Sequence, residues 1–273
     1  MNPNLLRGRV LSIAGSDSGG GAGIQADIKA ITALGCYAMT AVTAITVQDT
    51  QGVSGIHPVP DGIIAAQIER VLADLGADCM KTGMLGTSSV IDTVSDTLAR
   101  SAGGLPLVVD PVMVAKGGAL LLADTAVGAM KEKLLPRATL ITPNLPEASV
   151  LIGRPVTSLG DMRAAMSSLL ALGPRAVLLK GGHLETDEIV DIYEGPEGRH
   201  EWRSPRIVTR HTHGTGCTLA SSIAAGLAQR LPMIQAISRA RAYVRIAIET
   251  APGFGSGHGP LNHAHTVKPF EGG

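Results

Sequence analysis

His213-Gly-Thr-Gly-Cys-Thr-Leu219 runs two glycines and a threonine straight into an apolar helical pattern. In the first turn of a helix the backbone N–H groups lack intrahelical partners, and the helix dipole adds partial positive charge where they converge. Such a junction holds anions, phosphate above all. Gly214 and Gly216 let the main chain approach the ligand closely, while Leu219, Ile223 and Leu227 recur every fourth residue and bury the helix behind it. The same residues also fit an ordinary helix start capped by Thr215 or Thr218.

Outward from this junction, short apolar runs alternate with helix-period segments along the whole chain, the pattern of a mostly parallel sheet covered by helices on both faces. Expected strands are residues 10–14, 41–47, 78–82, 107–110, 139–142, 176–180 and 189–193. Ile24, Ile28, Ile31 and Leu34 mark one helix, and Ile64, Ile68, Val71, Leu72 and Leu75 the next. Further helical patterns cover residues 90–98, 127–135, 162–172 and 234–248. No repeat, linker or composition break divides the chain, which reads as a single domain over residues 1–273. Residues 194–205 read as a surface turn or hairpin, and the Gly-rich tail after Pro252 as a loop.

Composition narrows the function. Lys plus Arg equals Asp plus Glu at 23 each, so no net field attracts nucleic acid or acidic lipid, and aromatic residues make up only 2%. A small-molecule partner is favoured. The three cysteines, Cys36, Cys79 and Cys217, are too few and too scattered for a disulfide framework or a zinc knuckle, which fits a reducing cytoplasm. The segment from Met1 to Arg7 lacks the apolar core of a signal peptide, and no stretch is long enough to span a bilayer.

In open parallel sheets ligands bind beyond the carboxyl ends of the strands. Here those positions carry Gly15, Ser16 and Asp17, then Gln48 and Asp49, Gly83 and Met84, Asp110 and Pro111, Asn144 and Glu147, and Lys180 with Gly181, Gly182 and His183. Gly21-Ala-Gly-Ile-Gln-Ala26 matches a permissive dinucleotide fingerprint, but the nearest acid at a strand end, Asp49, lies 28 positions beyond Gly21 instead of about 20. Asp27 shares a helical face with Ile24 and Ile31, so it either contacts a ligand or ties down the loop. Asn144 and Glu147 can hold a hydrated Mg²⁺ beside a phosphate, or can form a capping box. Asp110 offers a second carboxylate, or a turn residue before Pro111. Lys180 can neutralise phosphate, or stand as a solvated strand end. No Gly-Lys dipeptide occurs, so the Walker A loop is absent. His258, His263 and His265 lack companion cysteines or a spaced acid and read as loop residues.

These segments together resemble the hydroxymethylpyrimidine/phosphomethylpyrimidine kinases of thiamine biosynthesis, a branch of the ribokinase-like superfamily. The likeness rests on Ala14-Gly-Ser-Asp17, Gly20-Gly-Ala-Gly-Ile-Gln-Ala-Asp27, Gln48-Asp-Thr50, Lys81-Thr-Gly-Met-Leu85 and Asp110-Pro-Val-Met113. It continues through Thr142-Pro-Asn-Leu-Pro-Glu-Ala148, Lys180-Gly-Gly-His183, Thr212-His-Gly-Thr-Gly-Cys217 and His258-Gly-Pro-Leu-Asn-His263. The resemblance implies a three-layer α/β/α sandwich around a mostly parallel sheet, a homodimer, and a kinase using ATP and Mg²⁺. Its substrate would be 4-amino-5-hydroxymethyl-2-methylpyrimidine and then the monophosphate of that alcohol.

Carried over residue by residue, Gln48 would bind the pyrimidine edge, and Gly15, Ala22, Asp27, Met84 and Val112 would line its pocket. Asp110, Asn144 and Glu147 would serve Mg²⁺ and phosphate, Lys180 would offset charge, and Gly214, Thr215, Gly216 and Cys217 would cradle the transferring group. Most sugar and nucleoside kinases of the superfamily end this motif with an aspartate base, whereas Cys217 stands here. It would either accept a proton, its pKa lowered by the helix N-terminus, or only line the pocket. The alternatives are a pyridoxal kinase, an NAD-dependent oxidoreductase resting on the 21–26 fingerprint, and a non-catalytic pyrimidine-binding regulator.

Overall fold

Alternate residues along each central strand enter two different cores, the physical signature of a sheet buried on both faces. In β1 (Arg9–Asp17), Val10 belongs to one core while Leu11 and Ile13 belong to the other. The same alternation divides Cys79 from Met80 in β4 (Cys79–Thr82), Val108 from Val109 in β5 (Leu107–Val109), Leu140 from Ile141 in β6 (Leu140–Ile141) and Leu178 from Leu179 in β7 (Val177–Leu179). The computed structural model describes residues 7–114, 118, 121–123 and 125–268. The first six residues of the segment read as lacking a signal peptide, and the last five of the Gly-rich tail, lie outside them.

With β2 (Tyr37–Gln48), β3 (Val53–Pro58), β8 (Glu188–Gly195) and β9 (Gly198–Pro205), these strands form one nine-stranded sheet in the order β3-β2-β1-β4-β5-β6-β7-β8-β9. The six strands from β2 through β7 pair parallel, and the flanking strands β3, β8 and β9 are antiparallel. Helices α1 (Gly23–Ala33), α7 (Thr215–Ala228) and α8 (Met233–Glu249) cover one face. In α8, Met233, Ala236, Ile237, Ala240, Tyr243 and Val244 form the buried stripe. The other face carries α2 (Asp61–Asp74), α3 (Ser88–Ser101), α4 (Ala126–Ala129), α5 (Leu145–Ile152) and α6 (Leu159–Leu170). This is the expected three-layer α/β/α sandwich.

Two segments differ from the sequence reading. Residues 127–135 do not form one helix: α4 opens into a π turn over Met130–Leu134 and closes in a 3₁₀ turn over Leu135–Arg137. Pro136 has no N–H to continue the ladder, so an α-helix cannot run through it. The periodicity also missed β3, an edge strand interrupted by Gly55 and mostly exposed, whose alternation is too weak to read. Residues 194–205 form the hairpin between β8 and β9.

Candidate active site

The parallel strands aim their carboxyl ends, and α7 its N-terminus, at one cavity of about 1040 Å³. Gln48 at the end of β2 and Gly214, Thr215, Gly216 and Cys217 at the start of α7 line that same hollow, with Gly15, Ala22, Met84, Val112, Asp110, Asn144, Glu147 and Lys180 between them.

At the phosphate end, α7 begins without a side-chain cap. Thr215 Oγ1 donates instead to the Thr212 carbonyl at 2.8 Å, and Thr218 Oγ1 is buried without a partner, so neither threonine closes off the helix start. Gly214 has φ +80°, and a Cβ there would lie 1.7 Å from the Gly21 carbonyl oxygen. The two glycine-rich loops therefore touch main chain to main chain. Gly216 sits over the ion pair of Lys180 and Asp110, whose Nζ and Oδ1 are 3.0 Å apart; a Cβ on it would be 3.3 Å from the Lys180 Nζ. Thr142 Oγ1 donates to the same Asp110 oxygen at 3.1 Å. Burial opposes a charged Lys180, yet Asp110 and Glu147 outweigh it and hold the ammonium above its ordinary pKa.

Asn144 and Glu147 form the capping box that their spacing allowed. Asn144 Oδ1 accepts from the Glu147 N–H at 2.9 Å, and Glu147 Oε2 accepts from the Asn144 N–H at 2.8 Å. Each thereby commits one acceptor oxygen to the helix start and keeps further lone pairs for another partner. Burial pushes the Glu147 carboxyl up to about 7, partly offset by Lys180. Among the described residues no three His, Cys, Asp or Glu side chains are grouped to hold a metal. Two carboxylates beside a lysine are an oxygen donor set that fits a hydrated Mg²⁺ held jointly with phosphate, and not a closed protein cage.

The thiol of Cys217 departs from expectation. Burial pushes its pKa up to about 11 despite the nearby Lys81 ammonium, so desolvation overrides the lowering anticipated from the helix N-terminus.

Asp27 is also corrected. It is fully buried beneath the cavity and does not line it. Its carboxylate accepts from Lys81 Nζ at 2.8 and 3.0 Å, from Ser12 Oγ at 2.5 Å and from Ser221 Oγ at 2.6 Å, tying together β1, β4, α1 and α7. Lys81 itself reaches the cavity wall.

Asp17 and His213, which lie inside the Ala14–Asp17 and Thr212–Cys217 motifs, organise the loops around Gln48. Asp17 Oδ1 accepts from the Gly19 N–H, and Oδ2 accepts from the Gly21 and Ala22 N–H groups and from His213 Nε2 at 2.9 Å. Burial alone would raise the carboxyl, but these donors bring its pKa below the ordinary value. Gly21 packs against the imidazole so closely that a Cβ would lie 2.3 Å from His213 Cδ2. Thr46 Oγ1 and His213 Nε2 flank the Gln48 side-chain amide at 3.1 and 3.4 Å. The signal available in sequence was an acid ending β1 and a histidine opening the Gly-x-Gly junction, but nothing local said that they meet across 196 positions.

The dinucleotide fingerprint has a structural explanation. Gly23, at φ +56°, is needed because a Cβ would meet the Gly15 carbonyl oxygen at 2.4 Å. Asp49 accepts from the Gln51 and Gly52 N–H groups within its own turn, away from the role of a ribose ligand. In the tail, His263 and His265 pack on Tyr243, and only His258 reaches the cavity.

Known proteins carry the same framework. A thiamine biosynthesis bifunctional protein (ThiED) of Geobacter sulfurreducens is 51% identical over 94% of this chain, which spans 52% of that longer protein. A hydroxymethylpyrimidine/phosphomethylpyrimidine kinase of Streptomyces coelicolor is 46% identical, with 93% of each chain covered. The ADP complex of Bacillus subtilis pyridoxal kinase superposes with a TM-score of 0.87 at 36% identity, covering 94% of this chain and 98% of the other. The phosphomethylpyrimidine kinase family model matches residues 17–262, a span running from Asp17 through the α7 junction to the turn at Asn262. With the two glycine-rich loops, the Lys180–Asp110 pair and the Asn144 capping box all inside that span, the chain belongs to the phosphomethylpyrimidine kinase family.

Proposed function

We propose that this protein transfers the terminal phosphoryl group of ATP to the hydroxymethyl group of 4-amino-5-hydroxymethyl-2-methylpyrimidine, and then to the resulting monophosphate. The observation that carries this reading is the shared cavity, lined both by the Gln48 amide and by uncapped helix amides beside a lysine–aspartate pair. Gln48 both donates and accepts, which matches a ring nitrogen beside an exocyclic amine. Ala22, Gly15, Met84 and Val112 supply the walls.

The α7 amides and Lys180 hold negative charge where it builds up on the transferring group, so positioning and electrostatics supply most of the rate. Asp110 and Glu147 would hold Mg²⁺ through water, with Asn144 fixing the Glu147 side chain. When bound, the cation would neutralise charge on the phosphate oxygens. Cys217 lines the pocket as a thiol; a loose transition state places little demand on a base.

Steady-state ADP release with the pyrimidine alcohol, its monophosphate and pyridoxal, for wild type and Gln48→Ala, tests the reading. Loss confined to the pyrimidines supports it, and no turnover with either pyrimidine overturns it. Phosphorylation of pyridoxal is the second reading, favoured by the pyridoxal kinase neighbour. The family reading also carries a single catalytic unit and a cytoplasmic homodimer. Exposed Ile45 and Val47 on β2 support self-association, which sedimentation equilibrium tests. Among the described residues no helix is long and apolar enough to cross a membrane.

A further inference from the structure

The side-chain amide of Gln48 lies between two polar groups whose hydrogens can be counted. Thr46 has one hydroxyl hydrogen and donates it to the Ser16 carbonyl at 2.8 Å, so toward the amide at 3.1 Å it can only accept. On the other side, Asp17 has no proton to give, since it already takes N–H groups from Gly19, Gly21 and Ala22. The 2.9 Å contact with His213 therefore needs the hydrogen on His213 Nε2. An amide NH₂ at 3.4 Å from that nitrogen would face donor with donor, while its oxygen beside Thr46 would face acceptor with acceptor. Turning the amide by 180° gives Thr46 the donor it can accept and sets the amide oxygen, in place of an NH₂, beside the His213 Nε2–H, whose one hydrogen stays directed at Asp17 and is at most shared with the amide. Two independent counts, from opposite sides, select the same rotamer.

We propose that the buried Asp17–His213 pair is a positioning device that locks the Gln48 amide, its oxygen toward His213 and its NH₂ toward Thr46, and so determines which hydrogen-bonding pattern of a substrate ring is accepted. The consequence for specificity rests on the function proposed above. A locked amide offers its second donor and its remaining acceptor in a fixed order. It therefore favours a 4-aminopyrimidine, with a ring-nitrogen acceptor beside an amine donor, over the 4-oxo analogue, in which N3–H is the donor and O4 the acceptor. An amide free to turn would serve both.

Two measurements test the proposal. In the free protein, ¹⁵N NMR of the imidazole should show His213 protonated at Nε2 at pH 8; an unprotonated Nε2 there overturns the lock. Calorimetric Kd values for the 4-amino alcohol and its 4-oxo analogue should show the preference falling about tenfold or more in His213→Ala, the equivalent of one enforced hydrogen bond. The 4-oxo compound should bind the variant more tightly than it binds wild type, a gain that general loosening of the site would not produce. Thr46→Val, close in shape, should move the preference the same way and keeps the test open if His213→Ala is unstable. An unchanged preference in folded variants overturns the proposal. Protonated Nε2 in a wild type that fails to bind the aminopyrimidine would leave the lock standing and sink the assigned substrate instead.

Discussion

Asp27→Asn isolates the buried charge beneath the site. Asp27 and Lys81 have side chains with no solvent exposure, and the carboxylate is the direct counter-ion of the ammonium. Burial works against a charged Lys81; Asp27 first, with Asp110 farther off, overcomes it and holds its pKa above the ordinary lysine value. Asparagine keeps the shape and can still bond Ser12 and Ser221, but it removes the compensating charge. Breaking a buried pair in this way costs about 3–5 kcal/mol. An unfolding entropy of about 2.1 cal/mol/K per residue over this chain then converts the loss into a Tm drop of about 5–9 °C.

Thermal and guanidinium unfolding at pH 7.5 provide the assay. The double variant Asp27→Asn/Lys81→Met should recover at least half of the loss, because no uncompensated charge remains. The contribution of the raised Lys81 in wild type is complete below the unfolded lysine pKa of about 10.5 and fades only as pH climbs past it, whereas in Asp27→Asn burial depresses the Lys81 pKa, so the difference between the two should be largest at low pH and narrow as pH rises toward 9. A Tm within about 1 °C of wild type, or a double variant worse than the single, would refute the claim that this pair balances buried charge.

Three further outcomes follow from the site. Gly214→Ala, forced into a left-handed conformation with its Cβ 1.7 Å from the Gly21 oxygen, should displace the loop and weaken ADP binding by about tenfold or more, and wild-type affinity by calorimetry would contradict it. Cys217→Ala should keep kcat within about tenfold of wild type, because a thiol raised to about 11 is protonated at neutral pH; a loss beyond about 10³-fold would restore it as the base. Glu147→Gln should retain the capping box. Because the Glu147 pKa is about 7 when folded, against an ordinary 4.5, its contribution to stability is full below about 4.5 and disappears as pH rises through about 7. The variant should therefore show a flatter Tm between pH 5 and 8 and a weaker response of turnover to Mg²⁺, and an unaltered pH slope would reject the assignment.

Local patterns carry far in this protein because strand alternation and helix spacing are short-range consequences of backbone geometry. The central parallel strands, the α7 junction and the Asn144–Glu147 spacing were all legible for that reason, as was the collection of polar residues at strand ends. The edge strand β3 and the broken helix before Pro136 were not, the first because an exposed strand needs little alternation, the second because π and 3₁₀ turns keep nearly the helical period.

What tertiary structure alone decided is which of the polar residues are paired, and how deeply. Asp27 turned from pocket wall to buried counter-ion only when Lys81, 54 positions away, was placed against it. Cys217 became a poor base only when desolvation could be set against the helix amides. Asp17 acquired its histidine across 196 positions. Charge, burial and proton location depend on neighbours brought close by the whole fold, and no window of sequence contains them.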